Sequence, residues 1–118
     1  MTIDPVESNP DLYSVVFENE RVRVLEYKDV PGTTSTPHHH PDSVLVALSD
    51  FDRRLTSGDR SVEVSLATGT AAWLAAQEHY GENIGNTGTH VLLVELKEPA
   101  PHAQGAAEVG PQVGERHG

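Results

Sequence analysis

The sequence predicts a single all-β domain, a sandwich or barrel built from short strands. Short runs of β-branched and other apolar residues recur along the chain, and turn residues separate them. No segment sustains a 3.6-residue apolar period with helix caps. At 118 residues the chain supports one modest core and is too short for two.

The runs follow in order. Residues 12–17 (LYSVVF) form the first, and residues 21–27 (RVRVLEY) alternate with the period of a strand. Pro31-Gly32 marks a turn. Residues 43–48 (SVLVAL) are nearly all apolar, as in a buried strand. Residues 52–56 and 61–66 flank Ser57-Gly58-Asp59, a hairpin signal. Residues 70–74 follow Thr68-Gly69, and residues 91–97 (VLLVELK) close the domain. Residues 1–11 are expected to be a disordered or extended arm, and 12–97 the barrel. Residues 98–118, rich in Pro, Gly and Ala, are expected to be disordered because they offer little to bury.

Eight basic and 18 acidic residues give a formal charge of −10. That balance argues against nucleic acid and anionic membranes as partners. No cysteine is present, so disulfides and thiolate metal sites are excluded. The acidic N-terminus lacks the apolar core of a signal peptide, and no apolar run approaches the roughly 20 residues that span a bilayer. A cytoplasmic protein is the expectation.

The strongest chemical signal is Thr36-Pro37-His38-His39-His40-Pro41. On an extended strand, His38 and His40 share one face and His39 takes the other. Imidazole is a common ligand of first-row divalent metals, and two on one strand supply only part of a shell. His79, in Gln77-Glu78-His79-Tyr80-Gly81-Glu82-Asn83, is the candidate third ligand.

These residues resemble the cupins. Gly32 followed five residues later by His38-x-His40 is similar to the start of the first cupin motif, and His79-x3-Asn83 to the end of the second. Residues 17–25 and 94–97 resemble the opening and closing strands of small bacterial single-domain cupins, so the likeness covers about residues 12–97. It implies a double-stranded β-helix (jelly-roll) barrel with a metal near one mouth. Two departures stand out. The first motif's glutamate is replaced by Val44 or Leu45, and strand parity with His40 favours Val44 as the residue facing the metal. The second motif has Leu74-Ala75-Ala76-Gln77 where its Pro and Gly belong.

The expected cofactor is one divalent transition metal ion (Fe, Ni, Cu or Zn). Three neutral imidazoles would leave its charge uncompensated and its open positions suited to catalysis on an anionic or oxygen-bearing ligand. Asp42 is expected at the surface, with replacement of the missing glutamate as its alternative role. His90, in parity with Leu92, Val94 and Leu96, is expected inside the barrel mouth, with a fourth-ligand role as the alternative. Trp73 either walls the pocket or packs in the core. Asn83 is expected to fix a loop, and Arg23 and Tyr27 to lie on an outward polar face. His102 and His117 are expected in solvent. No catalytic residue is assigned, although Glu78 or Glu82 is a candidate general base. The function expected is a dioxygenase- or isomerase/lyase-type metalloenzyme acting on a small polar molecule. The alternative is a non-catalytic ligand-binding or sensing module. Exposed sheet edges and the resemblance together suggest a homodimer.

Overall fold

The structure, a computed structural model, describes residues 3–98 and 108–114. His102 and His117 lie outside the described residues. Among the described residues, one short helix, α1 (Pro5–Ser8), precedes nine strands. They are β1 (Tyr13–Glu18), β2 (Val22–Lys28), β3 (His38–His40), β4 (Ser43–Ala47), β5 (Phe51–Ser57), β6 (Arg60–Leu66), β7 (Ala71–Leu74), β8 (Gln77–Asn83) and β9 (His90–Leu96). A five-stranded sheet runs β1-β2-β9-β4-β7 and a four-stranded sheet runs β3-β8-β5-β6. Every strand pairing is antiparallel. The fold is a double-stranded β-helix, as the sequence predicts.

The core lies between the sheets. Leu25, Tyr27, Leu45, Ala47, Leu74, Val91 and Leu93 meet Tyr13 and Phe51 there. Strand period explains the choice: β4 and β9 bury every second residue. At the β5–β6 hairpin, Ser57 pairs with Arg60 across a two-residue turn. Gly58 opens that turn at φ 61°, a left-handed conformation costly for other residues.

The described parts of the two terminal segments, residues 3–11 and 108–114, lie against the barrel, and the rest of the expected disordered tail, residues 99–107 and 115–118, lies outside the described residues. The N-terminal arm forms α1 because Asp4 caps it, accepting the Val6 N–H at 3.0 Å, and Pro5 presets its first turn. Asn9 then accepts the Thr36 N–H at 2.8 Å and donates to the Thr36 carbonyl at 3.2 Å, docking the arm beside β3.

The tail also reaches the barrel. Trp73 and Gln112 exchange backbone hydrogen bonds of 2.9 and 2.7 Å, so residues 108–114 run along the edge of β7. Val109 is 6 % exposed. Gly110, at φ 81°, lies against β5 and β6, where an added Cβ would stand 3.0 Å from Leu55 Cδ1. One buried valine and main-chain pairing make this attachment, which a search for apolar runs does not detect. Removing residues 108–118 should therefore lower the Tm by at least about 4 °C. Differential scanning calorimetry checks this, and an unchanged Tm would show that the segment adds no packing energy.

Candidate functional site

The site starts from the β3–β8 register. His38 stands opposite His79, His39 opposite Glu78, and His40 opposite Gln77. Opposed residues of an antiparallel pair share a face. His38, His40, Gln77 and His79 therefore face the interior together and are buried, while His39 and Glu78 face out. Ring centroids are 4.7 Å apart for His38–His40 and 5.1 Å for both pairs with His79. One nitrogen from each ring lies within 4.8 Å of the others, a three-histidine group able to hold a metal ion.

Each ring is oriented from behind. His38 Nδ1 donates to the Thr36 carbonyl at 2.7 Å. His79 Nδ1 donates to Gln77 Oε1 at 2.8 Å. The Gln77 amide is itself fixed, because Nε2 donates to the Ala75 and Glu108 carbonyls and Oε1 also accepts the Gly110 N–H. His40 Nδ1 faces Glu95 Oε2 at 3.4 Å. Each Nδ1 thus carries its proton towards an acceptor, which leaves every Nε2 as a bare lone pair.

Among the described residues, one hydroxyl proton faces the rings at the front. The Tyr13 hydroxyl sits 3.2 Å from His38 Nε2 and 3.3 Å from His40 Nε2, and it can donate to one of them. Burial, reinforced by neighbouring His38 and His39, holds His40 well below the ordinary imidazole range. Burial with His40 and His38 does the same for His79, and burial also lowers His38. The three rings are neutral, the ligating form. Burial pushes the Tyr13 phenol up, so it stays protonated.

Glu95, which the sequence reading missed, borders the histidine group. Burial raises its carboxyl, and Arg23 opposes that shift with hydrogen bonding and charge. Arg23 donates through Nε at 2.8 Å to Glu95 and through Nη2 at 2.6 Å to Asp4. A second buried pair lies deeper, where Arg53 Nη1 donates to Asp29 Oδ2 at 2.5 Å. Burial would raise the Asp29 carboxyl, yet hydrogen bonds from Tyr27, Asn83 and the Thr89 N–H, with the Arg53 charge, bring it below the ordinary 3.8.

The histidines open on a cavity of about 50 Å³. Its walls include Tyr13, Tyr27, Leu45, Arg53, Leu74 and, from the C-terminal segment, Pro111.

Several expectations change here. Val44 does not face the site. It pairs with Trp73 and Val94 on the outer side, while Leu45 lines the cavity, because Pro41 and Asp42 break the extension between β3 and β4 and reset the parity. An apolar residue does stand where the motif's glutamate belongs, one position later than expected. β9 buries Val91, Leu93 and Glu95, so His90 faces out and meets Glu26 at 2.7 Å. Trp73 neither walls the pocket nor packs in the core; it is 42 % exposed. Arg23 and Tyr27 face inward instead of outward. Glu78 and Glu82 lie on the outer face of β8, and Glu82 pairs with Arg54, so neither is a base in the cavity. Asp42 takes no place among the histidines; it accepts the Ala76 N–H at 2.8 Å. Asn83 fixes loops, donating to Asp29 and the Thr87 carbonyl at 2.9 Å each.

With this geometry in view, the comparisons with solved structures are informative. A cupin domain from Bordetella pertussis is 28 % identical at TM-score 0.69, covering 74 % of this chain and 93 % of its own. A protein with a double-stranded β-helix domain from Klebsiella pneumoniae is 20 % identical at TM-score 0.59, covering 86 % and 83 %. A predicted oxalate decarboxylase from Thermotoga maritima is 17 % identical at TM-score 0.52, covering 71 % and 78 %. No protein-family profile and no curated protein sequence matches the chain. The neighbours are cupin-domain and other double-stranded β-helix proteins, a likeness that supports a small cupin-type protein.

The Asp29 network has a measurable acid limb. Its folded-state pKa is depressed, so its stabilisation is present well above 3.8 and is lost as pH falls through the lowered value. Asp29→Asn should cost about 3 kcal/mol at neutral pH, since it strands a buried guanidinium. In urea unfolding the gap to wild type should shrink towards pH 3. A gap independent of pH would remove Asp29 ionisation as its cause.

Proposed function

We propose that the chain is a mononuclear metal-dependent enzyme of the cupin type, with His38, His40 and His79 as the protein ligands of one divalent transition metal ion. The observation that carries this reading is the proton count. Three Nε2 lone pairs converge on a space where the Tyr13 hydroxyl supplies a single proton, and a cation satisfies all three at once. Thr36, Glu95 and Gln77 supply the outer acceptors that hold each ring in its ligating tautomer.

The reaction proposed is of the dioxygenase or isomerase/lyase type, on a small polar molecule. A metal held by three imidazoles supplies Lewis acidity and open positions for oxygen ligands. Tyr13, neutral through burial, holds its proton beside His38 and His40, where it would donate a hydrogen bond to an oxygen of a small polar ligand. Leu45, Leu74, Val91 and Leu93 exclude water from the same space. A non-catalytic ligand-binding module is the second reading. What favours it is that, among the described residues, no carboxylate lines the cavity to serve as a general base.

Metal analysis of untagged protein should find one ion per chain. His40→Ala and His79→Ala should each lose most of it, and His39→Ala should retain it. Glu95→Gln should weaken binding roughly tenfold or more while keeping stoichiometry. Full retention in His40→Ala would end the proposal. Dioxygen uptake by the iron-loaded protein across a panel of small polar compounds separates oxygenase chemistry from the other classes.

A further inference from the structure

We propose that residues 108–112 are a strap that, through Gln77, decides which ring nitrogen of His79 carries the proton. Seated, the strap keeps the Nε2 lone pair turned to the cavity. Lifted, it frees the Gln77 amide to turn over and hold the other tautomer. The bearing on metal binding rests on the function proposed above, whereas the tautomer belongs to the metal-free protein.

Gln77 is buried on the inward face of β8, two residues before His79. Its amide is saturated. Oε1 accepts from His79 Nδ1 at 2.8 Å and from the Gly110 N–H at 2.9 Å. Nε2 donates to the Ala75 carbonyl at 2.9 Å and to the Glu108 carbonyl at 3.0 Å. A backbone N–H can only donate and a carbonyl can only accept, so these neighbours fix which end of the amide is oxygen. Turned over, the amide would set N–H against N–H at Gly110, and oxygen against oxygen at Ala75 and Glu108. The strap supplies the Gly110 and Glu108 restraints, and Ala75 alone remains without it. The neutral His79 ring takes the tautomer that the partner of its Nδ1 dictates. Facing an oxygen, Nδ1 keeps the proton and Nε2 is bare. Facing an N–H, Nδ1 accepts, and the proton moves to Nε2, where it blocks ligation.

The strap is separable from the barrel. Its buried side chain, Val109, stands outside the cluster that makes the barrel core. Beyond the Gln77 bonds, it is held by the backbone pair between Gln112 and Trp73, on the edge strand β7. Val113, the next residue along, is 59 % exposed. A segment that buries so little apolar surface opens at far lower free energy than the whole fold. Seating is exacting all the same. Gly110 is held at φ 81° with Leu55 and Val64 close by, a place that admits little beyond glycine. The same residues complete the cavity, because Pro111 forms part of its wall. One movement therefore opens that wall and unlocks His79.

Long-range proton–nitrogen NMR spectra of the metal-free full chain read the tautomer directly, with His79→Gln supplying the assignment. In the wild type, His79 should carry its proton on Nδ1. Val109→Asp puts a charge in the strap's seat and should lift it, seen as lost hydrogen-exchange protection at the Gln112 amide. The His79 proton should then move in large part to Nε2. Gly110→Ala, strained and crowding Leu55, is a second route to the same state. Adding Gln77→Glu to Val109→Asp should hold the proton on Nδ1 with the strap still lifted, because a carboxylate presents oxygen either way up. General loosening of the fold gives no such rescue. Cobalt titration should show Val109→Asp binding roughly tenfold more weakly, with Gln77→Glu restoring most of the loss. The inference is overturned if wild-type His79 carries its proton on Nε2, if neither variant lifts the strap, if lifting it leaves the proton on Nδ1, or if Gln77→Glu fails to hold it there. Equal cobalt affinity with the strap lifted would strike its bearing on the metal. Failure of the wild type to bind cobalt would end the metal proposal alone, because the metal-free spectra still decide the role of the strap.

Discussion

The pairing of β3 with β8 is the constraint from which the rest of the site follows. A three-residue strand carries two inward histidines, and its partner brings a third directly opposite the first. A slip of β3 by one residue against β8 would turn its own side chains over. It would bring His39 inside, carry His38 and His40 out, and take the histidine cluster apart. The register is held at both ends of the short strand. Asn9 fixes the backbone before it at Thr36, and Ser35 reaches across to Gly81. The opposite end is tied because Gln77 is gripped by the C-terminal segment. Elements remote in sequence thus converge on keeping one short ladder in place.

Most of the fold was legible in the sequence because strands buried on alternate residues advertise themselves. Residues 21–27, 43–48 and 91–97 all sit within a residue or so of observed strands. β8 was not read as a strand, since Gln77-Glu78-His79-Tyr80-Gly81-Glu82-Asn83 buries polar residues where a core strand would bury apolar ones. His38 and His40 were legible from strand spacing, and His79 from the resemblance of His79-x3-Asn83 to the second cupin motif. Their surroundings were not, because parity carries no information across a break. Pro41 and Asp42 interrupt the extension, so counting on from His40 chose Val44 over Leu45. On β9, apolar residues occupy both faces, and the pattern around Leu92 and Val94 looks as buried as that around Leu93. Glu95 was the available clue: a lone carboxylate in an apolar strand calls for a buried partner, and Arg23 lies across the ladder from it.

The barrel interior is unusual in holding two arginine–carboxylate pairs, Arg23–Glu95 and Arg53–Asp29. Buried pairs of this kind cost about as much in desolvation as they return in attraction. What they supply is orientation. Arg23 fixes Glu95 behind His40, and Asp29 ties β2 to the loop after β8 through Asn83 and Thr89. Tyr27 and Tyr13 connect the two regions, with ring centroids 4.8 Å apart. A change at one pair is therefore felt at the other through a contact between two aromatic rings. Double-mutant energies across that contact are not expected to add.

The irregularity between Val15 and Phe17 in β1 has its own bearing on how the molecule behaves in a crowd. β1 ends the five-stranded sheet, and Val15, Val16 and Phe17 are all substantially exposed. An apolar outer strand of this kind offers its free amide and carbonyl groups to any extended chain that drifts past. The extra residue at Val16 interrupts the even spacing of those groups and increases the local twist. A strand laid alongside can match the rail on one side of the break but loses step on crossing it. The kink thus limits open-ended stacking of copies while leaving the inner edge of β1 free to hold β2.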